Sequence, residues 1–155
     1  MTQLDETLPA LFRHSILAAQ RSSHRVLADM IRAEGLTPAW SEVLTVLDER
    51  GALTIRQLSN YLVCEADHPS RLISRMESKG LIGRKPHPDD KRAVLLTLTD
   101  TGQKAAKTVK AIEARFDAWL AQTLSAGDMD QVVRTFQRIL KGTAEGESLA
   151  ARFTT

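Results

Sequence analysis

The sequence predicts a mostly α fold with a minor β component. Long helices occupy both ends, and two short helices followed by a β-hairpin lie between them. Three observations carry this. Apolar residues recur at i, i+3 and i+4 through both terminal stretches. Capping and stop residues delimit two short helices between 54 and 79. Two short apolar runs then flank the Pro- and Asp-rich turn Pro86-His87-Pro88-Asp89-Asp90-Lys91.

Residues 8–34 read as one helix, with a loose stripe of Leu8, Leu11, Phe12, Ile16, Ala19, Val26, Leu27, Met30 and Ile31, stopped by Gly35. Thr37 and Pro38 suit the start of the next helix, whose apolar face is Trp40, Val43, Leu44 and Leu47 and which ends at Gly51. Thr54-Ile55-Arg56-Gln57 fits a capping box opening a helix over 54–62, with Ile55, Leu58 and Leu62 inward. After a turn at 63–66, Asp67 is placed to cap a helix over 68–79, with Pro69 in its first turn and Leu72, Ile73 and Met76 inward. Gly80 ends it. The runs 81–85 and 93–98 make the hairpin. Thr99 caps a long helix to about residue 124, with Val109, Ile112, Phe116 and Leu120 on one side. Ser125 and Asp128 open a final helix to about residue 141, with Val132, Val133, Phe136 and Ile139 expected to be buried. The segment 142–155 reads as a small, polar tail, frayed or weakly helical.

Two short helices joined by a tight turn and followed at once by a two-stranded ribbon describe a winged helix-turn-helix. The domains read as 1–34, an N-terminal helix of a dimerisation region; 35–100, the winged domain; and 101–155, C-terminal dimerisation helices with a short tail. The terminal helices exceed what a winged domain needs. Their apolar faces require a cover, and a second copy of the chain is the simplest one.

The chain has 155 residues, 43% apolar and 26% charged, an ordinary globular balance. No run of 18 apolar residues occurs, and residues 1–10 lack an export pattern. The single cysteine, Cys64, forms no internal disulfide. These features point to the cytoplasm and away from membranes. Net charge is only +2, but residues 71–92 hold seven Lys/Arg against three acids, a local +4 that leaves the remainder at −2. Such a basic stretch suits a polyanion or, equally, a solvated face. The four histidines are scattered, with no metal-ligand spacing, Gly-rich phosphate loop or nucleophile motif. Asp89-Asp90 sits on an exposed hairpin tip, poor for acid/base work. Neither enzyme activity nor a metal or cofactor is expected.

From Leu36 to Gly102 the sequence resembles the MarR family of bacterial transcription regulators. The resemblance rests on Leu36-Thr37-Pro38, on Leu53-Thr54-Ile55-Arg56-Gln57-Leu58-Ser59 and on the run 70–82, Ser70-Arg71-Leu72-Ile73-Ser74-Arg75 through Gly80-Leu81-Ile82. Its most specific part is Pro88-Asp89-Asp90-Lys91-Arg92-Ala93, followed by Leu95 and Leu98-Thr99-Asp100-Thr101-Gly102. It implies a homodimer joined through helices from both chain ends, binding a pseudo-palindromic operator in double-stranded DNA, with recognition helices in major grooves and wings in the flanking minor grooves.

On that basis the helix over 68–79 is the recognition helix. His68, Ser70, Arg71 and Arg75 are its candidate base or phosphate contacts. Arg71 and Arg75, four apart, share a face, and a guanidinium fork pairs with guanine O6 and N7. The stretch Asp67-His68-Pro69-Ser70 departs from the family's usual small, hydroxyl or β-branched run, and Pro69 removes a backbone donor. Arg92 is the minor-groove candidate, with Asp90 positioning the wing tip. Arg84, Lys85, His87 and Lys91 are candidate phosphate contacts, and Thr54, Arg56 and Gln57 open a second helix whose amide end suits a phosphate. The resemblance further implies a small-molecule effector that releases a repressor. Phe12, His14, Leu17, Arg21, Trp40 and Phe116 are candidate ligand residues. Cys64 is the candidate for an alternative, redox-responsive repressor, although Glu65 and Asp67 oppose a stabilised thiolate. A non-DNA-binding interaction module with the same fold, or an activator, are the other readings.

Overall fold

The computed structural model describes residues 3–63 and 68–153, with side chains from Thr7 onward. The chain forms two compact units, Met1–Pro38 and Ala39–Thr155. The first is dominated by one helix, α1 (Gln3–Arg32), which begins five residues before the expected start and carries Pro9 inside it. A turn closes it, in which the Gly35 N–H donates to the Arg32 carbonyl oxygen at 3.0 Å. Leu8, Leu11, Phe12 and Leu17 are exposed along α1.

In chain order the remaining elements are α2 (Pro38–Arg50), α3 (Ile55–Ser59), α4 (Pro69–Ser78), β1 (Ile82–Pro86), β2 (Val94–Leu98), α5 (Asp100–Thr123), α6 (Ala126–Ile139) and α7 (Ala144–Phe153). Pro38 opens α2, as its fixed φ favours. Both halves of the capping box at α3 are present: Thr54 Oγ1 accepts from the Gln57 N–H at 3.2 Å and Gln57 Oε1 from the Thr54 N–H at 2.8 Å. The expected cap of α4 is revised. Its N-cap is His68, which makes no side-chain cap bond, with Pro69 at the first helical position. Asp67 lies outside the described residues.

The hairpin is antiparallel, in register from Ile82↔Leu98 to Pro86↔Val94. Leu53 adds a one-residue third strand. Its N–H donates to the Leu96 carbonyl at 3.2 Å, and the Leu96 N–H returns a bond at 2.7 Å. Beneath the hairpin sits the core of this unit. Val43, Leu44, Val46 and Leu47 of α2, Leu58, Leu62, Leu72, Ile73, Met76, Ile82, Leu96, and Ala106, Val109 and Ile112 of α5 are buried. Each such aliphatic side chain contributes about 1.5–3 kcal/mol by leaving water.

The joint between α4, β1 and α5 is tightly built. The Gly80 N–H donates to the Glu77 carbonyl at 2.8 Å and the Leu81 N–H to the Met76 carbonyl at 3.0 Å, with Gly80 at φ +69°. This is a Schellman ending, which needs a residue tolerant of left-handed backbone. Thr99 closes the other side: its hydroxyl donates to the Gly80 carbonyl and accepts from the Gly102 N–H at 3.0 Å. Its N–H donates to the Leu81 carbonyl at 3.1 Å.

One expectation for the C-terminal part is corrected. Val132, Val133 and Ile139 of α6 are about half exposed within the single chain, and Phe136 is half-buried, so this apolar face is not covered by its own unit. Of the two forms expected for the tail, residues 144–153 take the helical one, as α7. The Thr143 hydroxyl accepts from the Gly146 N–H at 3.1 Å at the start of α7, and Arg50 Nη2 donates to the Ala151 and Arg152 carbonyls, each at 3.2 Å, at its end. A cation on the last carbonyls of a helix satisfies acceptors that have no partner inside it. Arg50 also lies 5.0 Å from the centre of the Tyr61 ring. Among the described residues no helix is long and apolar enough to cross a membrane.

Candidate nucleic-acid interface

The face of α4 opposite the core is polar and open. Leu72, Ile73 and Met76 are buried, which turns Ser70, Arg71, Ser74 and Arg75 to solvent. The spacing explains this, since a helix with its 72/73/76 side anchored must present 71 and 75 together on the other. The Ser74 hydroxyl donates to the Ser70 carbonyl at 2.9 Å. His68 is exposed at the start of the helix, and its carbonyl accepts from the Arg71 and Leu72 N–H groups at 3.1 and 3.2 Å.

The wing tip is ordered by short-range bonds. Asp90 Oδ1 accepts from the Arg92 backbone N–H at 2.9 Å, and the Ala93 N–H donates to the Asp90 carbonyl at 3.0 Å. The aspartate therefore shapes the turn through the backbone, leaving the Arg92 guanidinium outside that bond. His87 Nδ1 accepts from the Asp89 N–H at 3.2 Å, and the His87 N–H donates to the Ala93 carbonyl at 3.2 Å. Lys85, Lys91 and Arg92 are exposed. Among the described residues Arg71, Arg75, Lys85, Lys91 and Arg92 have no ion-pair partner.

Arg84 differs from the other candidate phosphate contacts. Its Nε and Nη2 donate to Glu77 Oε1 and Oε2 at 2.6 and 2.8 Å, a bidentate pair joining the last turn of α4 to the middle of β1. The hydrogen bonds from Arg84 hold the Glu77 carboxyl below its ordinary value, and the same bonds raise the Arg84 guanidinium. Glu77 was not among the candidates. The signal that exposes it is a carboxylate and an arginine seven apart, either side of a glycine helix stop.

Thr54 and Gln57 engage each other in the capping box, while Arg56 is exposed. The effector candidates are divided between the two units. Phe12, His14, Leu17 and Arg21 lie exposed on α1; of these only Arg21 lines the hollow formed with Gln20, His24 and Arg25. Trp40 is half-buried on α2, and Phe116 packs 5.5 Å from Trp119 on α5. A groove of about 650 Å³ between α6 and α7 is lined by other residues, Val133, Leu140 and Phe153 among them. Cys64 lies outside the described residues.

The MarR family model matches residues 36–94. The match spans the start of α2 through the first residue of β2, and so takes in α4 and the wing turn. Residues 36–94 thus match the MarR family of transcription regulators, and the segment has the winged-helix fold of its solved members. The HTH-type transcriptional repressor MdtR of Bacillus subtilis is 29% identical over 126 residues, which cover 79% of this chain and 76% of MdtR. A mutant MarR from E. coli complexed with operator DNA superposes with a TM-score of 0.76 at 23% identity, over 90% of this chain and 99% of that one. The organohalide-sensing regulator RdhR-CbdbA1625, bound to 2,4-dichlorophenol, gives a TM-score of 0.78 at 20% identity, over 93% and 87%. At such identities the structural likeness shows the fold, and the family match is confined to residues 36–94.

Proposed function

We propose that this chain is a MarR-family, sequence-specific regulator that acts in the cytoplasm as a homodimeric repressor, binds a pseudo-palindromic operator in double-stranded DNA and is released by a small-molecule effector. One observation carries the DNA-binding reading: five cations on the open face of α4 and on the wing, with no ion pair to any of the described residues, set on a winged-helix scaffold. Arg71 and Arg75 read bases from the major groove, helped by His68 and Ser70 at the helix start. Arg92 enters the minor groove, where narrow A·T-rich segments concentrate negative potential. Lys85, Lys91, His87 and Arg56 add phosphate contacts that fix register without reading sequence.

Residues 35–100 form the DNA-binding domain in this reading, and the segments on either side serve dimerisation. The exposed Leu8, Leu11, Phe12 and Leu17 of the first unit, and Trp119, Val132, Val133 and Ile139 of the second, support it, because apolar surface on this scale marks a protein contact. Two copies place two recognition helices on half-sites about 34–36 Å apart. Repression follows MdtR, named as a repressor. Effector control follows the regulator solved with 2,4-dichlorophenol, and an effector works by favouring the conformer whose helices are wrongly spaced.

The test is selection of bound duplexes from fragmented genomic DNA, followed by gel-shift titration of the recovered site. Arg71→Ala and Arg92→Ala each weaken binding by roughly 1–3 kcal/mol while the fold persists. Retention of no duplex by the parent protein overturns the proposal.

A further inference from the structure

We infer that Glu77 and Arg84 are a positioning pair that sets the angle of the wing against the recognition helix, and that Arg84 is not a phosphate ligand. The inference rests on the DNA-binding reading above. Arg84 lies in the basic segment that the sequence assigns to phosphates, yet its Nε and Nη2 edge is taken by both carboxylate oxygens of Glu77, at 2.6 and 2.8 Å. Two parallel bonds fix the plane of the guanidinium as well as its distance. They span the one place where the wing joins the helix, across the Lys79-Gly80-Leu81 turn.

The hairpin is held at β2 through the bonds of Leu96 to Leu53, but among the described residues no backbone bond joins β1 to α4 beyond its base. The Schellman bonds and Thr99 tie Gly80 and Leu81 to α4 and α5, but they act at the base of β1. From Ile82 the strand runs five residues, to Pro86, toward the tip, about 16 Å at the usual rise. A 10° hinge at the turn therefore moves Lys91 and Arg92 by roughly 3 Å, more than a hydrogen bond tolerates. The side-chain pair grips β1 at its third residue and resists this rotation. Glu77 and Arg84 keep 26% and 42% of their side-chain surface exposed, so the pair adds little to global stability. Its consequence is geometric. The cations at the tip are delivered to a fixed offset from Arg71 and Arg75.

The experiment compares the parent, Glu77→Gln, Arg84→Gln and the exchanged double variant Glu77→Arg/Arg84→Glu. Spin labels at Ser74→Cys and Asp89→Cys, in a Cys64→Ser background, report the spread of distances between α4 and the tip without DNA. Gel shifts on the selected operator across a salt series report binding. A positioning pair predicts broadened distances in both single variants and a roughly tenfold loss of operator affinity. It also predicts an unchanged salt slope in Arg84→Gln, and narrowed distances with restored affinity in the exchanged variant. A phosphate-binding Arg84 predicts the opposite: tighter binding in Glu77→Gln, a slope smaller by about one in Arg84→Gln, and no rescue by exchange. That result, or distances indifferent to Glu77, overturns the inference. A parent that binds no duplex counts against the DNA-binding reading instead, and the label distances still decide whether the pair holds the wing.

Discussion

Gly102→Ala tests the joint that binds α5 to the recognition helix. A Cβ at Gly102 would lie 3.0 Å from the Leu81 carbonyl carbon and closer still to its oxygen, and 3.4 Å from Leu98 Cβ. Side-chain carbons essentially never approach backbone inside 3.0 Å, so α5 or the α4–β1 turn must shift by the order of an ångström. The same Leu81 oxygen accepts from the Thr99 N–H at 3.1 Å and from its hydroxyl at 3.2 Å. The shift therefore strains the cap of α5 as well. Overpacking costs about 1–3 kcal/mol and a weakened hydrogen bond about 1 kcal/mol. A total of about 3 kcal/mol lowers Tm by roughly 6–12 °C for a chain of this size. Gly127→Ala is the matched control. It sits exposed in α6 with its nearest neighbour, Ser125 Oγ, at an ordinary 3.8 Å, so the better helix former stabilises by about 0.5–1 kcal/mol. Thermal melts followed by circular dichroism at one protomer concentration read both. Equal Tm values for Gly102→Ala and the parent, or a fall in Gly127→Ala as large as in Gly102→Ala, refute the account of the joint.

Glu113 gives a pH-dependent test. Burial lifts its carboxyl above the ordinary 4.5, outweighing the nearby Arg152 guanidinium, with Asp117 and Glu49 adding repulsion. The folded state thus holds this proton more tightly than the unfolded one, so the stability it contributes is full below pH 4.5 and is lost as pH rises through the raised folded value. Glu113→Gln should gain on the parent in urea midpoint from pH 4.5 to pH 8; a constant difference between the two proteins would contradict this. Arg50→Ala should speed amide exchange in residues 144–153 and leave α4 unchanged, because the arginine closes the end of α7. Val133→Asp removes apolar surface that the single chain leaves 50% exposed. Light scattering should then show a folded monomer where the parent is a dimer, and a monomeric parent ends the dimer proposal.

What the sequence made legible was local. The capping boxes at Thr54 and Ser125 close over three residues, and the glycines at 35, 51 and 80 adopt the positive φ their helix-stop positions suggested. The buried sides of α3 and α4 followed from 3.6-residue spacing. What stayed hidden depends on distant partners. A single-residue strand at Leu53 has no period to detect. The segment 144–153 reads as no more than frayed or weakly helical because its helix is closed by Arg50, roughly a hundred residues earlier. The α6 face reads as buried because periodicity reports that a face is apolar, not which chain covers it. In the candidate site, exposure of Arg71 and Arg75 came from spacing alone, whereas the engagement of Arg84 needed the turn geometry at Gly80.

That last difference changes how the charge of this surface should be understood. Counting residues gives 71–92 seven cations, but a cation already paired with a carboxylate carries little of its field to a phosphate a Debye length away, about 8–10 Å at physiological salt. Glu77 pairs with Arg84, and the six cations of 71–92 with no ion pair among the described residues are Arg71 and Arg75 on the helix, Lys79 at its C-terminal cap, and Lys85, Lys91 and Arg92 on the wing. Each phosphate neutralised steepens the salt dependence by nearly one unit of slope. The helix and the wing thus contribute separable increments, and only their relative orientation joins them into one site. A contact that neutralises one cation while fixing the direction of three others lowers non-specific attraction and sharpens geometric fit together. That combination favours discrimination between duplexes over raw affinity for any of them.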